Sequence, residues 1–351
     1  MADIKVALVG YGFAGRLIHA SLIRATKGLE LATVVSSRAD DVRADLPDVT
    51  VLPDLATALS DPDIGLVVIA TPNKLHAEQA HAALNAGKHV VIDKPFATTQ
   101  AEAEGIAEHA RRTGLTVCVF QNRRWDAHIL TAKALLETGR FGTVSDAILR
   151  YDRLRNVVPG RWHDLDIPGS GIWFNLGSHL VDQAIHLFGR PLTISAEFAT
   201  QRPGAVNDDY FNVVLGYDRL RVVLHACMIS PAPGPVIEIQ GSHGAFVKYG
   251  QDTQEEMLKA RRTPGDNGWG VDPVPGTFTA ADGETTLPPE PVICGPGYYC
   301  GFYEGMAAAI RAESPAPVAL EDSLLAMRLL DLATQSAREG RRLNVEGPEY
   351  F

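Results

Sequence analysis

The sequence predicts an α/β chain. A doubly wound parallel sheet spans residues 1–122, and an α+β domain with a large, mostly antiparallel open sheet spans 123–351. Three observations carry this. Val- and Ile-rich runs alternate with helical stretches through the first third of the chain, the pattern of parallel strands covered on both faces. A Gly10-x-Gly12-x-x-Gly15 turn follows the first run and opens a helix. After Arg123 the rhythm changes to consecutive strands with short turns, including the hairpin signal "GYDRL" at 216–220.

In order, the first domain should hold strands at Ile4–Val9, Leu31–Ser36, Leu66–Ala70, His89–Ile92 and Leu115–Phe120. Helices near 13–26, 38–45, 54–60, 74–86 and 99–113 lie between and after them. A helix at Ile129–Thr138 and a strand at Thr143–Tyr151 open the second domain. An arginine-rich loop leads to a helix near 175–186. Strands follow at Leu192–Thr200, Tyr210–Tyr217, Leu220–Met228, Val236–Gln240 and Ala245–Tyr249. The Pro- and Gly-rich stretch 263–297 reads as loop with at most short strands. Helices at Tyr299–Ala312 and Leu320–Glu339 close the chain, and the last could pack back on the first domain.

Composition narrows the function. With 46% hydrophobic and 21% charged residues over 351, the chain is an ordinary globular protein large enough for two cores. A net charge of −10 argues against a nucleic-acid or anionic-membrane partner. No apolar run approaches the roughly 20 residues of a membrane span, and the opening "IKVALVGYG", without a basic, hydrophobic stretch before it, gives no expectation of a signal peptide. Cys118, Cys227, Cys294 and Cys300 lack CxxC spacing, so neither a disulfide framework nor a zinc site is expected. A cytoplasmic protein is the expectation.

In strand–turn–helix context the three glycines allow a tight turn and close approach of a pyrophosphate at the helix N-terminus. Gly10, Gly12, Phe13, Ala14 and Gly15 form this Rossmann dinucleotide loop. The second strand closes on Ser36-Ser37-Arg38 rather than on the acid that binds an NAD ribose. Ser37 and Arg38 suit a 2′-phosphate, so NADP is favoured over NAD. Against this, Ser37 could cap the next helix, and Asp40 or Asp41 could reach the ribose. Thr71, Pro72 and Asn73 follow the strand Leu66–Ala70 at the carboxyl edge of the sheet, although Asn73 could serve only as a cap. Lys94, between apolar neighbours and before Pro95, should point into the crevice.

The stretch "NLGSHLVDQAIH" sets Asn175, His179, Asp182 and His186 on one helical stripe about 60° wide. Imidazole suits proton transfer near neutral pH. His186, about 10 Å along the helix from His179, reads as a core histidine, and no metal site is expected.

Gly10–Gly15, "TPNKLH", "DKPF", "QNRRWD" (121–126) and "GSGIWFNLGSHLVDQAIHLFG" (169–189) together resemble the Gfo/Idh/MocA family of NAD(P)-dependent oxidoreductases. "GRWHD" (160–164), "DYFNVVLGY" (209–217) and "FVKYG" (246–250) are similar to its NADP-dependent scyllo-inositol dehydrogenase branch. The resemblance implies that Lys94, His179 and Asn175 are catalytic. It implies substrate contacts for Asp182, and the polar loops offer Arg123, Trp125, Arg155, Arg161 and Trp162. His76, Asp93, Lys94 and Asn122 join the cofactor set. The partner would be a small polyol or sugar, and the open sheet would make a homodimer or a tetramer.

Two departures stand out. The Glu-Lys-Pro motif of the family reads Asp93-Lys94-Pro95, and the acidic position before the histidine is Asn175. The implied activity is hydride transfer between NADP and a secondary alcohol or its carbonyl form, on a cyclitol, sugar or related molecule. A nucleotide-sensing protein without catalysis, or a glycoside-cleaving enzyme with tightly held NAD, are the alternatives.

Overall fold

The computed structural model describes residues 2–158, 160 and 169–345. The chain forms two compact units. One comprises Met1–Asn122, Gln254–Trp269 and Tyr298–Leu324, the other Arg123–Thr253, Gly270–Gly297 and Leu325–Phe351.

The first unit is built on six parallel strands: β1 (Ile4–Val9), β2 (Leu29–Val35), β3 (Thr50–Leu52), β4 (Ile64–Ile69), β5 (His89–Ile92) and β6 (Val117–Val119). Their order is β3-β2-β1-β4-β5-β6, so the direction of winding reverses between β1 and β4, where a crevice opens at the carboxyl ends. Val6, Leu8, Leu66, Val68, Val90 and Val91 are fully buried, as strands covered on both faces must be. The helix Gln100–Thr113 shows how locally determined some elements are. The Thr99 hydroxyl accepts the Glu102 N–H at 3.2 Å, the Glu102 carboxylate accepts the Thr99 N–H in return, and Gly114 ends the helix at φ 68°.

The second unit carries a ten-stranded sheet. Its strands are β7 (Val144–Arg150), β8 (Thr193–Ala199), β9 (Tyr210–Gly216), β10 (Arg221–Cys227), β11 (Ile237–Gly241), β12 (Gly244–Lys248), β13 (Gly276–Asp282), β14 (Thr285–Thr286), β15 (Glu290–Val292) and β16 (Leu343–Asn344). The order is β14-β13-β12-β11-β7-β10-β9-β8-β16, with β15 on β13. Among the described residues only β7 with β10 pairs in parallel; the other pairings in this sheet are antiparallel. The predicted hairpin is present, with Tyr217 N–H donating to Leu220 O at 2.9 Å. Burial alternates along β9 and β10. Phe211, Val213, Leu215, Val222 and Leu224 are buried, while Tyr210, Asn212, Val214, Val223 and His225 face a half-exposed side.

Several elements go beyond the sequence reading. β3 is a three-residue strand, the helix Gln254–Lys259 lies in the first unit, and β13 runs seven residues within the stretch read as loop. Phe278 explains the last: it is buried against Phe141, ring centroids 5.4 Å apart, so β13 has a core-facing residue despite its Gly- and Pro-rich surroundings.

Candidate functional site

The dinucleotide loop is shaped by contacts that only glycine permits. Gly10 has φ 98°, and a Cβ there would lie 2.5 Å from Ala70 O, just past the end of β4 across the switch point. A Cβ on Gly15 would meet Gly10 O at 2.1 Å, whereas one on Gly12 would meet nothing within 4 Å. Two glycines therefore close the turn, and the third leaves a bare face for a pyrophosphate. These residues fit a bound dinucleotide. Behind the loop, Asp45 Oδ2 accepts from Tyr11 Oη at 3.1 Å and Arg16 Nε at 2.5 Å, while Oδ1 accepts from Arg261 at 3.1 Å. The Arg16 bond outweighs partial burial and holds the Asp45 carboxyl below its ordinary pKa. Phe13 is exposed and Ala14 half-buried.

At the end of β2, Ser37 and Arg38 are both exposed. The helix Ala39–Asp45 starts without a side-chain cap, and Ser36 Oγ instead accepts the Arg38 N–H at 3.0 Å. Asp40 pairs with Arg43 at 3.2 Å on the surface. Asn73 begins a 3-10 turn, Asn73–Leu75, and makes no side-chain cap for the helix His76–Asn85. Thr71 and Asn73 are half-buried, and Pro72 is exposed.

Lys94 leaves β5 half-buried, followed by a cis peptide to Pro95. Its backbone N–H donates to Asp93 Oδ1 at 2.8 Å. Burial alone would raise the Asp93 carboxyl, but His19, Lys94 and His76 outweigh it and hold its pKa below the ordinary value. His76 differs from the cofactor-facing reading. It is 0% exposed, and its ring nitrogens lie 3.0 Å from Pro95 O and 3.0 Å from Thr71 O. Its ring is taken up by backbone carbonyls. His19, which no sequence motif marks, is also 0% exposed and lies 3.8 Å from Asp93. Asn122 ends this unit, buried.

In the second unit the helix Ser178–Phe188 is preceded by a π-type turn over Trp173–Gly177, so the α-helical stripe assumed from Asn175 onward starts only at Ser178. Gly177 is required because a Cβ would sit 2.2 Å from the Trp173 ring. That ring packs edge-on to Phe211 at 5.0 Å and donates its N–H to Leu330 O at 3.1 Å. Asp208, whose carboxyl burial raises to about 6, accepts the backbone N–H of Trp173 at 2.7 Å and anchors the helix start. His179 is buried and Asn175 half-buried.

Asp182 departs from a simple substrate-facing carboxylate. It is 1% exposed, and both of its oxygens lie on Arg124, with Nη2 at 2.7 Å from Oδ1 and Nε at 2.9 Å from Oδ2. Next to it, Gln183 Nε2 donates to Arg123 O and Tyr151 Oη, each at 3.3 Å. Arg123 itself reaches Asp126 at 3.4 Å and stacks over Tyr151 at 5.3 Å. Burial, with Arg124 and Lys133 nearby, pushes His186 down to about 3, and the side chain is half-buried rather than fully in the core. Trp125 is half-buried, and the Arg155 side chain is exposed. Arg161 and Trp162 lie outside the described residues. Among the described residues no three His, Cys, Asp or Glu side chains are grouped to hold a metal ion, and no helix is long and apolar enough to cross a membrane.

Residues 4–121 match the oxidoreductase family NAD-binding Rossmann fold, and 133–345 match that family's C-terminal alpha/beta domain. The uncharacterized oxidoreductase YdgJ of Escherichia coli K12 is 42% identical over 96% of this chain and 97% of its own. The scyllo-inositol 2-dehydrogenase (NADP(+)) IolW of Bacillus subtilis is 36% identical, covering 98% of this chain and 96% of its own. Among solved structures, yvaA from Bacillus subtilis superposes with TM-score 0.94 at 35% identity, over 98% of this chain and 99% of that one. An oxidoreductase from Bacillus cereus superposes with TM-score 0.91 at 26% identity, over 99% and 100%. A nucleotide loop at the switch point, followed by a ten-stranded second sheet and matched along nearly the whole length by oxidoreductases, identifies the chain as a member of the Gfo/Idh/MocA family of oxidoreductases.

Proposed function

We propose that this oxidoreductase is an NADP-dependent dehydrogenase that interconverts a secondary alcohol and its carbonyl form on a cyclitol or sugar. The observation that carries the reading is the carboxyl edge of the first sheet. There a bare Gly12 and an exposed Ser37-Arg38 pair lie at the ends of β1 and β2, and a half-buried lysine leaves β5. The kinship with IolW, named for scyllo-inositol and NADP(+), supports both the substrate class and the cofactor.

The bound nicotinamide supplies the hydride acceptor, or the donor in reverse. Lys94 places a cation where alkoxide charge develops. His179 takes the hydroxyl proton and returns it in the reverse direction. Asn175 orients that imidazole without adding a charge. Arg123, Trp125, Arg155, Arg161 and Trp162 furnish polar and aromatic contacts for hydroxyl groups, and Asp182 acts on the substrate side by holding Arg124. The half-exposed face of β7, β9 and β10 is the surface through which two copies would pair.

A panel of inositols and sugars, assayed by nucleotide reduction with NADP and with NAD, tests the substrate class. Turnover of a cyclitol or sugar with NADP supports it, and inertness of the whole panel contradicts it. Arg38→Ala tests the cofactor. It should weaken NADP binding by about 1.5–3 kcal/mol, roughly 10- to 100-fold in Kd, and leave NAD binding nearly unchanged. Equal losses for the two nucleotides in a fluorescence titration would remove Arg38 from the 2′-phosphate site.

Asn175→Asp addresses the base. A carboxylate at this position would stabilise the imidazolium, so His179 would lose its proton only at higher pH. The acidic limb of kcat/KM for oxidation should move upward by about one pH unit. An unmoved limb would mean that residue 175 does not act on the base.

A further inference from the structure

Two fully buried histidines, from two different helices, meet the residues on either side of Lys94. His19, on the helical segment that follows the glycine loop, is 0% exposed, with Nδ1 2.6 Å from the Tyr303 hydroxyl and Nε2 3.8 Å from Asp93 Oδ2. Phe120 lies against its ring at 4.3 Å and Phe302 lies 4.8 Å from Phe120, so the carboxylate is the anion at the edge of an aromatic box. At 3.8 Å the His19–Asp93 contact is an ion-pair approach rather than a hydrogen bond, and the other Asp93 oxygen accepts the Lys94 N–H at 2.8 Å. On the far side, His76 joins Pro95 O through Nδ1 and Thr71 O through Nε2, each at 3.0 Å. A carbonyl oxygen only accepts, so the ring nitrogen that carries the proton is the donor.

We propose that His19 and His76 are positioning residues, a two-sided clamp that fixes the Asp93-Lys94-Pro95 turn and so the direction in which Lys94 leaves β5. The significance of the clamp for catalysis rests on the reading of Lys94 given above; its existence does not. The clamp also accounts for an aspartate in the position where the family motif has glutamate. The shorter carboxylate stays close enough to accept its neighbour's N–H, and His19 fills the distance behind it.

The ring nitrogens offer a crossed test. An asparagine amide nitrogen falls near the Nδ1 position of histidine, and a glutamine amide nitrogen near Nε2. For His19, the Nε2 side faces Asp93, so His19→Gln keeps the clamp and His19→Asn loses it. For His76, the Nδ1 side faces Pro95, so the order is inverted: His76→Asn keeps the clamp and His76→Gln loses it. Amide hydrogen exchange of a peptide spanning Asp93–Phe96 reads the turn directly, with a β1 peptide as the internal control.

Exchange there should speed up about tenfold in His19→Asn and His76→Gln, and stay within about threefold of wild type in the other two. Four variants that behave alike, whether all fast or all unchanged, would overturn the clamp. Should a histidine variant fail to fold, Tyr303→Phe is the milder probe. Removing the hydroxyl that holds Nδ1 should raise exchange of the same peptide about threefold, and no change would overturn the His19 side. Turnover of scyllo-inositol with NADP in Lys94→Met, measured alongside, separates the two ideas. A near-normal Lys94→Met contradicts the role given to Lys94, whereas the exchange pattern alone judges the clamp.

Discussion

Lys94→Met should lower kcat by about 10²–10³-fold while changing the affinity for NADP by less than about threefold. The expectation follows from where the lysine stands. It leaves a buried strand at the carboxyl edge of the sheet, and its N–H is tied to Asp93 at 2.8 Å. That bond fixes the backbone from which the side chain departs, and on the proposed reading the ammonium at its end meets the substrate oxygen. A charge so organised stabilises alkoxide in the transition state without reorganising solvent. Methionine keeps the length and apolar stem of lysine and removes only the charge. If the lysine served cofactor binding instead, the loss would fall on the nucleotide Kd and kcat would survive. Pre-steady-state single turnovers, with a separate nucleotide titration, distinguish the two outcomes.

Asp182→Ala should cost about 3–5 kcal/mol of stability, because it strands the Arg124 guanidinium in a buried site. Side-chain exposures of 5% for Arg124 and 2% for Asp182 leave little solvent to replace the lost partner. The pair is bidentate, at 2.7 and 2.9 Å, which is the geometry in which a guanidinium gains most from a carboxylate. Asp182→Asn keeps the shape and one acceptor, so it should fall between wild type and Asp182→Ala. Urea denaturation of the three proteins measures this. Were Asp182 chiefly a substrate ligand, KM would rise in both variants while the unfolding midpoints stayed close to wild type.

Much of the first unit was legible because its signals are local. Gly10, Gly12 and Gly15 lie within one turn, and the strands are long enough for continuous apolar runs to be recognised. The hairpin at Tyr217–Leu220 and the cap at Thr99 are equally short-range. β3 escaped notice because three residues, Thr50–Leu52, carry no periodicity. β13 was hidden by the glycines and prolines around it, and its assignment depends on Phe278 finding Phe141 far along the chain.

The site divides in the same way. Lys94 and His179 are marked by their neighbours in sequence. His19 carries no such mark, since its hydroxyl partner Tyr303 is 284 residues away. Arg124 and Asp182 are separated by 58 residues, so the spacing that put Asp182 on the polar stripe could not reveal that its oxygens were already engaged. His76 reads as a cofactor residue because of the motif around it. Only the fold shows that its ring is turned into the protein, toward two carbonyls. In each case the missing information was a partner brought in by the fold.

The central claim is that this oxidoreductase carries hydride between a cyclitol or sugar and NADP. Isotope transfer tests it most directly. Purified protein is incubated with NADP and perdeuterated scyllo-inositol, or the panel's fastest substrate, and the nucleotide is examined by mass spectrometry. The account predicts deuterium in the reduced nucleotide in proportion to carbonyl product, with Lys94→Met slowed by the factor given above. Nucleotide that binds yet stays unlabelled across the panel, in the wild-type protein, would contradict it.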